Sequence, residues 1–193
     1  MNTDINKALE PLIKAFEEIG VAYYIGGSVA SSVYGIARAT MDIDLISELR
    51  QNQVSFLFEK LKSKYFIDEN MILNAIKNNS SFNIIHLDTM LKIDVFIPKA
   101  GFFNKKVFER RQKDLLSDEP GSIEIYLCSS EDTILSKLEW YKLGGCISEH
   151  QWKDIIGVIK VQDELLDKNY LSQWAEELGV ADLLEKALSE GKI

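Results

Sequence analysis

The chain has 193 residues, 46% of them hydrophobic, with a formal net charge of −8 and an isoelectric point near 4.9. That length can bury one substantial core, or a compact domain with a smaller one appended, without disulfide or metal staples. The acidic balance argues against a general nucleic-acid binder, because affinity for phosphate backbones comes mostly from clustered Lys and Arg. No stretch approaches the ~18 apolar residues of a membrane span, and Met1-Asn2-Thr3-Asp4 opens without the basic and apolar regions of a secretory signal, so a cytoplasmic protein with no membrane partner is expected. Cys128 and Cys146, the only cysteines, have neither disulfide nor metal-ligand spacing, which fits a reducing compartment.

Residues 4 to 19 carry Ile5, Leu9, Leu12, Ile13, Phe16 and Ile19 at helical spacing, with Thr3 or Asp4 as N-cap and Gly20 as stop. The apolar run Val21 to Ile25 then reads as a strand that turns at Gly26-Gly27-Ser28 into a short helix, Val29 to Tyr34, closed by Gly35. From Thr40 the pattern alternates, with Thr40, Asp42 and Asp44 on one face and Met41, Ile43 and Leu45 on the other, as in a half-buried strand. A helix over about 51 to 63 follows, then a mixed region over 65 to 77. Phe82 to Leu87 and Leu91 to Ile97, joined by Asp88-Thr89-Met90, read as a hairpin. The basic cluster Lys105, Lys106, Arg110, Arg111 and Lys113 reads as a solvated helix face. A strand over Ile123 to Cys128 is preceded by Glu119-Pro120-Gly121. After Ser129 the chain reads as helix, with Ser129 or Ser130 capping one helix to Leu143, Ser148 capping the next to about Asp163, and two segments over 168 to 189 broken at Gly179. The expected division is an α/β domain over residues 1–128 and a helical region over 129–193 packed on it.

Asp42 and Asp44 are two residues apart on one strand, so both leave the same face, about 7 Å apart along the backbone. Asp94, between Ile93 and Val95, repeats the arrangement, and the three carboxylates converge if the two strands are neighbours. An uncompensated carboxylate at the buried end of a sheet is costly. Oxygen-only ligands suit a hard cation such as Mg²⁺, which binds through few carboxylates plus substrate phosphates. Gly26-Gly27-Ser28 allows close backbone approach, and the amides of the following helix can hold phosphate oxygens. His86 and His150 are in no ligand spacing, and Ser28 has no His partner in sequence, so serine nucleophile chemistry is not expected.

Gly26-Gly27-Ser28, then Arg38-Ala39-Thr40-Met41-Asp42-Ile43-Asp44-Leu45, then Ile93-Asp94-Val95 resemble the signature of the DNA polymerase β-like nucleotidyltransferases over roughly residues 21 to 97. The resemblance implies an α+β fold, a mixed sheet flanked by helices and followed by a helical C-terminal region. It implies Mg²⁺, or Mn²⁺ in its place, on Asp42, Asp44 and Asp94, and an NTP, such as ATP, bound by Gly26, Gly27, Ser28, Arg38 and Thr40. An acceptor hydroxyl would lose its proton at Asp94 and attack the α-phosphate while pyrophosphate leaves. Ser136-Lys137-Leu138-Glu139-Trp140 and Gln151-Trp152-Lys153-Asp154-Ile155 are similar to C-terminal motifs of the AbiEii-like toxins of type IV toxin–antitoxin systems. That branch implies that Lys137 contacts nucleotide phosphates, that Asp154 completes the catalytic site and that an antitoxin partner exists.

Three acceptor classes follow: RNA, such as a tRNA 3′ end, a small hydroxyl compound, or a protein hydroxyl. The net charge favours the latter two, whereas a positive cleft of Lys105, Lys106, Arg110 and Arg111 beside the carboxylates would favour RNA. Two readings compete with catalysis: an NTP-binding or antitoxin-partnered interaction module that keeps the fold without turnover, and a structural α/β domain in which the three aspartates are satisfied separately.

Overall fold

The structure, a computed structural model, describes residues 2–38, 40, 42–116 and 122–191, with side chains from Asp4 onward. Ala39 and Met41 of the motif around Asp42, the capping side chain of Thr3 and the Glu119-Pro120-Gly121 turn lie outside the described residues. Two compact units emerge, residues 1–26 with 39–127, and residues 27–38 with 128–193.

The first unit holds the sheet. Helix α1 (Asn2–Glu18) begins ahead of its expected cap and continues through Pro11. It buries Leu9, Leu12 and Phe16 on one side, as their spacing requires. Strand β1 (Tyr23–Ile25) leads out of the unit, and the chain returns for β2 (Asp42–Ser47). The segment expected as one helix over 51–63 is a single 3₁₀ turn, Gln51–Gln53, followed by α3 (Val54–Leu61); α2 (Gly27–Tyr34), the helix between β1 and β2, belongs to the second unit. The mixed region over 65–77 resolves into β3 (Tyr65–Phe66) and α4 (Glu69–Asn78). The start of α4 was legible after all: the Asp68 side chain accepts from the Met71 amide, while Asn79 ends the helix at φ +46°. The hairpin is β4 (Ser81–His86) and β5 (Lys92–Phe96), antiparallel. After α5 (Phe102–Arg110) come β6 (Gln112–Leu115) and β7 (Glu124–Leu127).

The strand order is β3-β4-β5-β2-β1-β7-β6, a mixed seven-stranded sheet in which β2 pairs parallel with β5 and β1 parallel with β7. One face is apolar: Ile43, Leu45, Ile84, Ile93, Val95 and Ile125 have no exposed surface. Tyr65 locks the far edge to α1 by donating its hydroxyl to the Ala8 carbonyl at 2.6 Å.

The second unit is helical. It comprises α2 (Gly27–Tyr34), α6 (Ser130–Leu143), α7 (Glu149–Gln162), a 3₁₀ turn at Asp163–Leu165, α8 (Lys168–Glu177) and α9 (Ala181–Gly191). Ser129 and Ser148 cap α6 and α7 as expected, accepting from the amides of Asp132 and Gln151. Ile134, Leu138, Ile155, Val158, Leu171 and Leu184 form its core. The grouping differs from a single cut at residue 128, because α2 packs with α6 and α7 although the chain places it between two strands of the sheet. Among the described residues no helix is long and apolar enough to cross a membrane.

Candidate functional site

In the first unit, β2 and β5 run parallel in a register that sets Asp44 directly opposite Asp94 and Asp42 opposite Lys92. All four side chains leave the polar face, since Ile43, Leu45, Ile93 and Val95 take the other. The three aspartates therefore share one face, with Asp44 and Asp94 also sharing a register position. Asn83 of β4 continues the row, opposite Asp94.

Burial is not what makes this cluster costly, contrary to expectation for Asp42. Its side chain keeps 63% of its surface, and that of Asp94 keeps 22%. The cost lies in like charges placed directly across a strand pair, which destabilise unless a cation intervenes. A cation stands beside one of the two: the Lys92 Nζ lies 2.8 Å from Asp94, and 3.6 Å from Asp42. Those contacts hold the Lys92 ammonium above its ordinary pKa, the hydrogen bond to Asp94 first among the causes. Sequence reading missed Lys92, although its place two residues before Asp94 puts it on the same face.

These donors fit a divalent metal in chemistry, being carboxylate oxygens on one face with a positive group already drawn between two of them. They are not yet gathered into a cage: among the described residues no three acidic, His or Cys side chains are clustered as metal ligands. The Gly26 amide donates to the Asp44 carbonyl at 3.0 Å and so ties the end of β1 to the same stretch of β2. Thr40 lies before the strand and donates its hydroxyl to the Asp42 carbonyl at 2.9 Å.

The second unit carries a separate charged network. Asp154 of α7 and Lys137 of α6 are both buried, at 9% and 8% exposure, where the sequence allowed surface residues. Arg38 donates from Nε to Asp154 Oδ1 at 2.8 Å and from Nη2 to Oδ2 at 3.0 Å, while Lys137 Nζ donates to Oδ2 at 2.9 Å. Arg38 Nη2 also donates to the Ser28 hydroxyl at 2.7 Å. Burial pushes the Asp154 carboxyl up, but the hydrogen bonds from Arg38 and Lys137 outweigh it and hold the group below the ordinary carboxylate value. The same bond from Arg38 raises the guanidinium. Two cations around one carboxylate leave a net positive charge beside Ser28, in the first turn of α2. Gly27, just before it, has φ +55°, a conformation that glycine adopts without cost.

Two of the four residues whose positive cleft would favour RNA have local partners. Arg111 lies over the rings of Tyr126 and Phe108, and Lys106 pairs with Glu109.

Sheet order and helices together define the nucleotidyltransferase fold. Among solved structures that share it is the antibiotic-resistance factor ANT(2'')-Ia, with a TM-score of 0.55 and 14% identity over 92% of this chain and 96% of that one. An antigenic nucleotidyltransferase-like protein from Paracoccidioides brasiliensis matches at 0.55 and 15% over 97% and 93%. The lincosamide antibiotic adenylyltransferase LnuA, bound to lincomycin, matches at 0.50 and 18% over 80% and 96%. At such identities the likeness is one of fold. No protein-family model matches the chain, and no curated protein does.

Proposed function

We propose that this chain is a Mg²⁺-dependent nucleotidyltransferase that moves an NMP from an NTP to an acceptor hydroxyl and releases pyrophosphate. The observation that carries the reading is the pairing of Asp44 with Asp94 on one face of two parallel strands, with Asp42 one step along the same face. Asp42, Asp44 and Asp94 would hold the ion, for which Mn²⁺ is expected to substitute. When bound, it supplies neutralisation of the triphosphate and polarisation of the α-phosphate.

The chain's own residues do the rest. Asp94 accepts the proton of the acceptor hydroxyl at a carboxylate oxygen, and the acceptor's own oxygen, so deprotonated, attacks the α-phosphorus as the bond to pyrophosphate breaks. In the second unit, Arg38, Lys137, Ser28 and the first amides of α2 are the donors that the resemblance implies for nucleotide phosphate oxygens. Asp154 acts here as a positioning residue: its two oxygens hold both cations, so their geometry is set before the nucleotide arrives.

A small hydroxyl compound is the acceptor class with most support, since the net charge is −8 and the fold is shared with the antibiotic-resistance factor ANT(2'')-Ia and the lincosamide antibiotic adenylyltransferase LnuA. An RNA acceptor and an antitoxin partner draw their support from the sequence motifs alone, and a cytoplasmic location from the composition and cysteine usage of the sequence. A second reading, NTP binding without turnover, is favoured by one observation, the Lys92 ammonium standing between Asp42 and Asp94.

The test incubates the protein with Mg²⁺ and each α-³²P-labelled NTP, adding either a small-metabolite extract or total RNA, with Asp94→Asn in parallel. Label transferred by the wild type and lost in the variant, with near-UV circular dichroism unchanged, is the expected result. Equal transfer by both proteins would remove Asp94 from the mechanism. Binding of NTP without any transfer selects the second reading.

A further inference from the structure

We propose that Lys92 is a tethered counter-ion that competes with the divalent metal for Asp42 and Asp94, so that metal loading requires its ammonium to be displaced. The inference rests on the metal reading given above and adds to it a residue that sets the site's affinity.

The geometry follows from strand register. Lys92 is directly across from Asp42 and two residues before Asp94 on its own strand, so its side chain rises from the same face between the two carboxylates. Its Nζ reaches both, at 3.6 and 2.8 Å. Pairing with Asp94 lessens the repulsion that its carboxylate exerts on Asp44 across the β2–β5 pair. The Lys92 side chain is 40% exposed, so leaving the carboxylates costs little: it trades a half-solvated ion pair for water. A divalent ion arriving at the same oxygens must nonetheless expel it or sit beside a like charge.

Two expectations separate this role from a purely structural one. Neutral variants, Lys92→Met and Lys92→Gln, should bind Mn²⁺ tighter than wild type, by roughly two- to fivefold in Kd, the scale of a partly exposed ion pair. Their metal-free forms should melt lower, and saturating Mn²⁺ should raise their melting temperature by more than it raises that of wild type. Lys92→Arg, which keeps the charge, should retain wild-type affinity within about twofold.

The measurement is a Mn²⁺ titration followed by electron paramagnetic resonance of the free ion, with thermal melts of the same proteins and Asp94→Asn as the site control. Tighter binding by both neutral variants, with Lys92→Arg near wild type, establishes the competition. Equal or weaker binding by the neutral variants, while wild type binds and Asp94→Asn does not, overturns the role of Lys92 and leaves the metal site standing. No Mn²⁺ bound by wild type or by either neutral variant overturns the metal site and the role of Lys92 with it.

Discussion

At the scale of single residues, Asp154 shows how one carboxylate organises two cations. It is buried, both of its oxygens accept charged donors, and its ionised form is favoured in spite of burial. Because its folded-state pKa lies below the unfolded value of about 4, its contribution to stability is complete above that value and is lost as the pH falls through the folded one. Asp154→Ala would leave the buried Lys137 ammonium without its acceptor. The expected cost near pH 7 is about 3 kcal/mol, at the lower end for a broken buried pair because Arg38 is partly solvated. The gap between variant and wild type should narrow as the pH is lowered below about 4. Urea unfolding across a pH series reads both effects, and a gap that widens on acidification would contradict the assignment. Lys92 works oppositely, as a cation shared by two carboxylates on an accessible face, and its predicted signature is metal affinity, with stability secondary.

At the scale of elements, the position of α7 depends on how closely α2 can approach it. A Cβ built on Gly35 would lie 2.8 Å from the Val158 nitrogen and 2.9 Å from both the Gly157 carbonyl carbon and the Ser31 oxygen. All three are backbone atoms and cannot swing aside. Gly35→Ala must therefore push the end of α2 away from the turn of α7 that follows Asp154 by three residues. We expect a loss of about 1–3 kcal/mol, as for overpacking elsewhere, seen as a lower melting temperature. A wild-type melt would show that the backbones can part at no cost. The Arg38 to Asp154 bonds should loosen with it, since Arg38 follows Gly35 by three residues.

At the scale of the whole molecule, the charge of −8 and the engagement of Arg111 and Lys106 by neighbouring rings and carboxylates predict weak generic attraction to nucleic acid. Random RNA should show no measurable binding at about 150 mM salt. Tight binding with a steep salt slope would instead favour RNA as the acceptor. Much of this protein was legible in its sequence, because the information is local: helical periodicity in α1, serine caps on α6 and α7, alternation in β2 and β5, and three aspartates each between apolar neighbours. The short β3 and the exposed β6 carry too few alternating residues to register as strands, and both exist by pairing with β4 and β7. Tertiary structure alone decided three things: that α2 joins helices beginning about a hundred residues later, that Arg38 and Lys137 share Asp154, and that Lys92 stands between Asp42 and Asp94. Each is a meeting of residues distant in the chain or on separate strands, fixed by packing and register, and none of the three is written in the spacing of any one segment.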